Sequence, residues 1–307
     1  MPLQPPASSL QPAPQKSRLS AFISRFGSTL VLWFLIGGAL VSAHPVPFFI
    51  IIFLLMMAGL WEFFHLLHMK HARGEAAVTM ALSAVYVSVC FWSAAAGKGT
   101  DFAQFDMLAI FHVTVAGFLI HMFSPVNPGR SHIQVMACVF AFIYISYLFN
   151  FTTRVSWFHD GREHVSGLVP GRTYLLFGLA VTKFTDMGAY IVGSLIGKHK
   201  MVPHLSPGKT WEGFAGAIAF AYLAAFTIVG LWGRGVPLLT PAHTALLAGL
   251  IALGAVVGDL AESTIKRSLR AKDSGHVMPG IGGVLDLIDS ILVTTPILYF
   301  YLEWIKP

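Results

Sequence analysis

Residues 45–61 read PVPFFIIIFLLMMAGLW, seventeen consecutive positions without a charged side chain. A run of that length is enough to cross the hydrocarbon core of a bilayer, which takes roughly 17–25 apolar residues. Backbone N–H and C=O groups in hydrocarbon find partners only within their own segment, so such a run spans as a helix. Runs of the same character recur on both sides, and nine are counted, centred near residues 36, 55, 87, 115, 142, 185, 222, 252 and 295. The 307-residue chain is 55% hydrophobic and 11% charged, with a mean hydropathy of +0.70. A transmembrane β-barrel would instead show short alternating strands. The expected fold is all-α, a polytopic membrane protein with about nine transmembrane helices.

The basic residues orient the bundle. The N-terminal tail and the loops near residues 70, 128, 204 and 271 share one side and hold thirteen Lys and Arg. The other side holds six, namely Lys98, Arg154, Arg162, Arg172, Arg234 and Lys306, while Lys183 lies inside a span. The excess places the N-terminus and the loop around residue 271 in the cytoplasm, with the C-terminus outside. Residues 1–26, rich in Pro, Ser and Gln, read as a disordered cytoplasmic tail. Residues 27–151 form an N-terminal part of five helices, 152–171 an external loop, and 172–307 a catalytic part of four helices. Val41-Ser42-Ala43 has the look of a signal-peptidase site. The next run begins within a few residues, however, and losing the first would upset the charge balance, so the first helix is expected to be retained.

Basic loops meeting anionic headgroups account for the net charge of +6. No Lys/Arg-rich arm or aromatic nucleic-acid motif occurs, so no nucleic-acid partner is expected. Cys90 and Cys138 fall within apolar runs and read as packing residues. No internal repeat is visible, which argues against a transporter built from inverted repeats.

Polar chemistry concentrates in residues 258–290, GDLAESTIKRSLRAKDSGHVMPGIGGVLDLIDS. The steps of three and four between Asp259, Glu262, Ser263, Lys266 and Arg270 put them on one helical face. Asp286 and Asp289 repeat the i, i+3 spacing on a second helix. Ionisable residues within spans are costly and mark function, and Asp186, Asp259, Glu262, Asp286 and Asp289 all belong to the last four runs. Hard cations such as Mg²⁺ are held by one or two carboxylates plus substrate phosphates, and paired ions clamp attacking and leaving oxygens. Lys266, Arg267, Arg270 and Lys272 offer charge to those phosphates. Gly280, Gly282 and Gly283 let backbone N–H groups approach an anion at the start of the next helix; the blander account is an interfacial turn.

A second polar segment lies upstream, with Asp186, Gly197-Lys198-His199-Lys200 and Ser206-Pro-Gly-Lys-Thr-Trp-Glu-Gly213. A Walker A reading of Gly208-Lys209-Thr210 fails, because its first glycine would fall on Pro203 and no strand is expected before it. Ser206, Lys209 and Thr210 remain phosphate donors, with Glu212 opening the next helix. Ordinary positive-inside anchoring explains Lys198, Lys200 and Lys209 but not the Ser, Thr and Glu among them. His65, His68 and His71 have helical spacing and read as interfacial residues beside Lys70 and Arg73. Glu62, in the second run, either bonds within the bundle or reaches the site.

The run Ser263-Thr-Ile-Lys266-Arg267, then Lys272-Asp273-Ser-Gly, Pro279-Gly-Ile-Gly282-Gly283 and Asp286-Leu-Ile-Asp289-Ser290 resembles the signature of the phosphatidate cytidylyltransferase family. The segments around Asp186, Lys198 and Ser206–Gly213 look like that family's other hallmark region. The resemblance implies an enzyme of phospholipid biosynthesis that joins CTP to phosphatidate, giving CDP-diacylglycerol and pyrophosphate. It implies Mg²⁺ with a second cation, held by Asp259, Asp286 and Asp289 with Ser263 nearby, and catalysis by these acids with Lys266. Lys266, Arg267 and Lys272 would contact phosphates. Asp186, Lys198, Ser206, Lys209, Thr210, Glu212, Asp273, Gly282 and Gly283 would complete substrate binding. A bacterial inner membrane location and a homodimer are the further expectations. The chain has Ile281 and Leu287 where that signature usually has His and Arg. The competing readings are a CTP-dependent polyprenol kinase and a cation or lipid transporter, the latter expecting carboxylates spread along a midplane cavity.

Overall fold

The computed structural model describes residues 34–42, 44–67, 73–97, 102–123, 131–160, 170–271 and 283–307. The tail 1–26, His68, His71, Lys272, Asp273, Ile281 and Gly282 lie outside the described residues. Eight helices carry the apolar runs: α1 (Val46–Leu66), α2 (Arg73–Ala95), α3 (Phe102–Met122), α4 (Ser131–Ser156), α5 (Pro170–Ile196), α6 (Trp211–Trp232), α7 (Pro241–Ser268) and α8 (Val284–Ile305). Each is long and apolar enough to cross a membrane. Residues 34–41 are also helical and are the described piece of the first run. The described residues therefore give eight full spans and part of another, against the nine counted in the sequence.

One element departs from a purely helical chain. Strands β1 (Lys200–Val202) and β2 (Ser206–Thr210) form an antiparallel hairpin between α5 and α6, pairing Lys200 with Thr210 and Val202 with Ser206. Gly208-Lys209-Thr210 is thus part of a strand. Thr210 ends that strand and caps α6, its hydroxyl accepting a hydrogen bond from Gly213 N at 3.1 Å. The Glu212 carboxylate, on the first turn of α6, accepts from Lys198 N at 3.1 Å and His199 N at 3.2 Å and pairs with His199 Nδ1 at 2.6 Å. These bonds hold the hairpin base on the helix.

The C-terminal half packs through small residues. α5 and α6 share the most extensive helix contact. A Cβ added at Gly216 would lie 2.5 Å from Val192 Cβ and 2.7 Å from the Gly188 carbonyl oxygen, so the two backbones meet directly. Gly258 does the same for α7 and α8, where a Cβ would lie 2.5 Å from the Asp289 carbonyl oxygen and 2.9 Å from Ser290 Cα. The close approach at Gly258 sets Asp259 beside Asp289.

In the N-terminal half, α4 contains a π-helical turn at Phe142–Tyr147 and runs through Ser156. Residues 152–156, expected in an external loop, are therefore helical. Buried Arg154 explains the extension: its guanidinium pairs with Asp106 of α3 at 2.5 Å and stacks over the Phe151 ring at 4.3 Å. Tyr86 of α2 donates to the same Asp106 oxygen at 2.7 Å. Arg172 at the start of α5 donates to the carbonyl oxygens of Leu40 (3.3 Å) and Ser42 (2.5 Å), tying the 34–41 helix to the C-terminal half. Both arginines, expected as external loop charges, are buried at helix ends. Cys90 and Cys138 are free and buried.

Candidate active site

α7 delivers Asp259, Glu262, Ser263 and Lys266 from one face, as their spacing predicts. α8 delivers Asp286 and Asp289, α5 delivers Asp186, and β2 delivers Ser206 and Lys209. Asp186, Ser206, Lys209, Asp259, Asp286 and Asp289 converge, with Thr210, on the walls of a cavity of about 530 Å³, while Glu262, Ser263 and Lys266 lie outside its lining. Thr185, Tyr190, Phe214 and Val256 supply apolar and aromatic wall on the same cavity. Acids, basic strand and apolar wall therefore share one chamber at the hairpin end of the bundle.

Carboxylate oxygens of Asp259, Glu262 and Asp289 all lie within 4.8 Å of one another. Glu262 is 1% exposed and Asp289 6% exposed, and Glu262 Oε1 is buried with no hydrogen-bond partner among the described residues. Carboxylates held that close repel one another unless a proton or a cation neutralises them. Oxygens around a Mg²⁺ ion at ~2.0–2.1 Å are spaced ~3–4 Å apart, so the trio, within 4.8 Å, would draw in slightly to hold a hard divalent cation, and ligation would satisfy the Glu262 oxygen. Ser263 Oγ donates to Asp259 Oδ1 at 3.4 Å, and Ser290 N donates to Asp289 Oδ1 at 2.5 Å, orienting two members.

Asp286, expected among the metal ligands, is placed differently. Its Oδ1 accepts from Lys266 Nζ at 2.6 Å, and its Oδ2 accepts from Gly283 N at 3.0 Å, capping α8. As the third residue of that helix it faces the free N–H groups of the first turn, which draw a carboxylate toward them. Glu262 takes its place in the trio, and the i, i+3 step from Asp259 is the sequence signal for it. Lys266 also donates to Glu262 Oε2 at 2.7 Å, so this expected phosphate partner is shared between two carboxylates.

Two further lysines flank the acids. Lys209 Nζ lies 2.9 Å from Asp259 Oδ2. Lys183 Nζ donates to Asp186 Oδ2 at 3.4 Å and to the Leu287 carbonyl oxygen at 3.0 Å. Ser290 Oγ donates to Asp186 Oδ1 at 3.4 Å, joining that carboxylate to α8. Lys183 was legible only as an in-span charge. Arg267 serves structure here, donating to the carbonyl oxygens of Leu205 in the hairpin turn (3.2 Å) and Ala271 (3.1 Å). Lys198 is exposed and Glu212 holds the hairpin, so neither lines the cavity. Gly283 is the N-cap of α8. His65 stacks on Trp61, with ring centroids 5.5 Å apart.

Glu62, left open between two roles, has a defined one. Its Oε2 accepts from Leu285 N at 2.9 Å in the first turn of α8, which joins the N-terminal half to the acid-bearing helix.

A model of the Cytidylyltransferase family matches residues 23–305. The chain is 42% identical over 137 residues to the uncharacterized protein YnbB of Escherichia coli (strain K12), covering 44% of each. It is 41% identical over 132 residues to a phosphatidate cytidylyltransferase of Bacillus subtilis (strain 168), covering 43% of this chain and 48% of the relative. It is 37% identical over 167 residues to a protein of the same name from Mycobacterium bovis, covering 54% of this chain and 50% of the relative. The matched stretch spans about half the length of these relatives.

Proposed function

Because the chain belongs to the cytidylyltransferase family, we propose that it transfers the cytidylyl group of CTP to phosphatidate. The observation that carries this reading is the cavity in which Asp259 and Asp289, with Glu262 behind them, face Ser206 and Lys209 beside an apolar wall. A nucleoside triphosphate needs the cation and the basic strand, and a phospholipid needs the apolar wall.

In the proposed reaction a phosphate oxygen of phosphatidate forms a bond to the α-phosphorus of CTP. The α–β phosphoanhydride bond breaks, and its electron pair leaves with pyrophosphate. The nucleophile is already anionic near neutral pH, so positioning and charge neutralisation carry the catalysis. Asp259, Glu262 and Asp289 would hold Mg²⁺, which supplies charge neutralisation to the phosphate oxygens when bound. Lys209, 2.9 Å from Asp259, is placed to exchange its carboxylate for a substrate phosphate. Lys266 is held between Glu262 and Asp286, where it offers a second positive charge at the edge of the trio. Asp286 positions Lys266 and fixes the start of α8. The count of thirteen basic residues against six supports a cytoplasmic hairpin end, where CTP is available, and a bacterial inner membrane location fits the named relatives.

The test is turnover by the purified full chain with phosphatidate, Mg²⁺ and CTP labelled at either the α- or the γ-phosphate. A cytidylyltransferase carries the α-label into lipid and releases γ-label as pyrophosphate. Transfer of the γ-label to a lipid with CDP left behind would make the chain a kinase, and a transporter would turn over neither label.

A further inference from the structure

Lys183 stands midway along α5, inside an apolar run, and the reaction above gives it no part. An ammonium group inside a span is costly and marks function. Its hydrogen bonds run toward the acids. Nζ donates to Asp186 Oδ2 at 3.4 Å and, across to α8, to the Leu287 carbonyl oxygen at 3.0 Å. A carbonyl oxygen has two lone pairs, so it can take this bond beside a helical one.

Asp186 lines the cavity and stands outside the carboxylate trio. Its Oδ1 accepts from Ser290 Oγ at 3.4 Å, and Ser290 N donates to Asp289 Oδ1 at 2.5 Å. A line of hydrogen bonds therefore runs from Lys183 through Asp186 and Ser290 to a member of the trio. Three cavity aspartates each have a lysine: Lys209 pairs with Asp259, Lys266 with Asp286, and Lys183 with Asp186.

The identity of residue 287 adds an independent reason for a lysine here. Leu287 occupies the position between Asp286 and Asp289 where the signature resembled by this sequence usually has Arg. Its side chain packs against the hydrophobic core. Residue 287 thus brings no charge to that turn of α8, and Lys183 brings one from α5 to the backbone of the same residue.

We infer that Lys183 is a positioning residue of the active site, neutralising Asp186 and tying α5 to the acid-bearing turn of α8 with the charge that residue 287 lacks. Its effect on turnover rests on the cytidylyltransferase reading above; its effect on stability does not. Partners one hydrogen bond removed from a metal ligand typically change activity by about 10–100-fold when lost.

Lys183→Met keeps an unbranched side chain and removes the charge. In the purified full chain, CDP-lipid formation at saturating Mg²⁺ is expected to fall about tenfold. The thermal midpoint of the metal-free chain should fall with it, because Asp186 loses its cation, and Lys183→Arg should keep most of both. Leu287→Arg separates a charge role from packing. In the wild-type background it sets a second cation against Lys183 and should lower midpoint and rate; in the Lys183→Met background it should raise both. Such a reversal of sign is the coupling expected when one charge can come from either position. Leu287→Arg lowering the midpoint in both backgrounds overturns the exchange, and a wild-type rate and midpoint in Lys183→Met overturn the positioning role. A wild-type chain that forms no CDP-lipid overturns the reaction alone, since the reversal in thermal midpoint still decides the part played by Lys183.

Discussion

Glu62 Oε2 accepts the backbone N–H of Leu285 at 2.9 Å, a bond between residues 223 positions apart. Leu285 lies in the first turn of α8, where N–H groups have no partner within the helix. A carboxylate there also complements the positive end of the helix dipole. The same turn carries Asp286, and the next carries Asp289. The second apolar run of the sequence is therefore bonded directly to the start of the helix that supplies Asp286 and Asp289.

Glu62→Gln keeps a carbonyl oxygen for Leu285 N, so it is expected to retain most activity and stability. Glu62→Leu strands a buried N–H, at a cost of ~1–3 kcal/mol. It should lower the thermal midpoint and reduce CDP-lipid formation well below the Gln variant. Equal rates in the two variants would show that the bond does not position α8.

Asp259→Ala and Asp289→Ala are expected to abolish Mg²⁺-dependent turnover. Losing charge stabilisation worth several kcal/mol corresponds to more than about a hundredfold in rate. Neither variant should unfold more easily without metal, because each removes one member of a mutually repelling trio. Asp286→Asn should be milder, since its remaining oxygen still accepts from Gly283 N and Lys266 keeps Glu262. Rates ranked with Asp286→Asn lowest would return Asp286 to the ligand set.

Gly258→Ala places a methyl group 2.5 Å from the Asp289 carbonyl oxygen and 2.9 Å from Ser290 Cα, where backbone rather than a movable side chain must give way. Overpacking of this kind costs ~1–3 kcal/mol. Separating α7 from α8 also separates Asp259 from Asp289, so the half-maximal Mg²⁺ concentration should rise together with the fall in stability. Gly254→Ala is the contrast, because its Cβ would meet the Ile297 Cδ1 methyl, a mobile side-chain end. It should cost less and leave metal dependence unchanged.

The sequence made the spans and the acid positions legible because both are written in local periodicity. Apolar runs near 55, 142 and 295 became α1, α4 and α8, and the three- and four-residue steps from Asp259 to Lys266 became one face of α7. What periodicity does not carry is which groups meet across helices. Asp286 and Glu262 are both acids at i, i+3 from an aspartate, and their roles separate only because Asp286 sits at a helix start and Glu262 within a helix. The hairpin was hidden because Pro, Gly and Lys in Ser206–Thr210 are poor strand formers; its pairing and the Glu212 bonds at its base define it. The buried Arg154 and Arg172 looked like loop charges until their partners, Asp106 and the Leu40 and Ser42 carbonyls, came into view.

Lys209 separates two consequences of one charge. Its ammonium lies 2.9 Å from Asp259 Oδ2, in competition with any cation that carboxylate would bind. Asp259 is 44% exposed at its side chain, so solvent screens the pair and the effect on folding should be small. Lys209→Met removes the competitor, and the trio should then bind Mn²⁺ more tightly in the absence of nucleotide. The same change deletes a phosphate contact, so KM for CTP should rise several-fold. Opposite movements of metal affinity and nucleotide affinity are the signature of a lysine that exchanges partners during binding. Parallel weakening of both, measured by Mn²⁺ titration and steady-state kinetics on one preparation, would instead make Lys209 a structural prop of the β2–α7 contact.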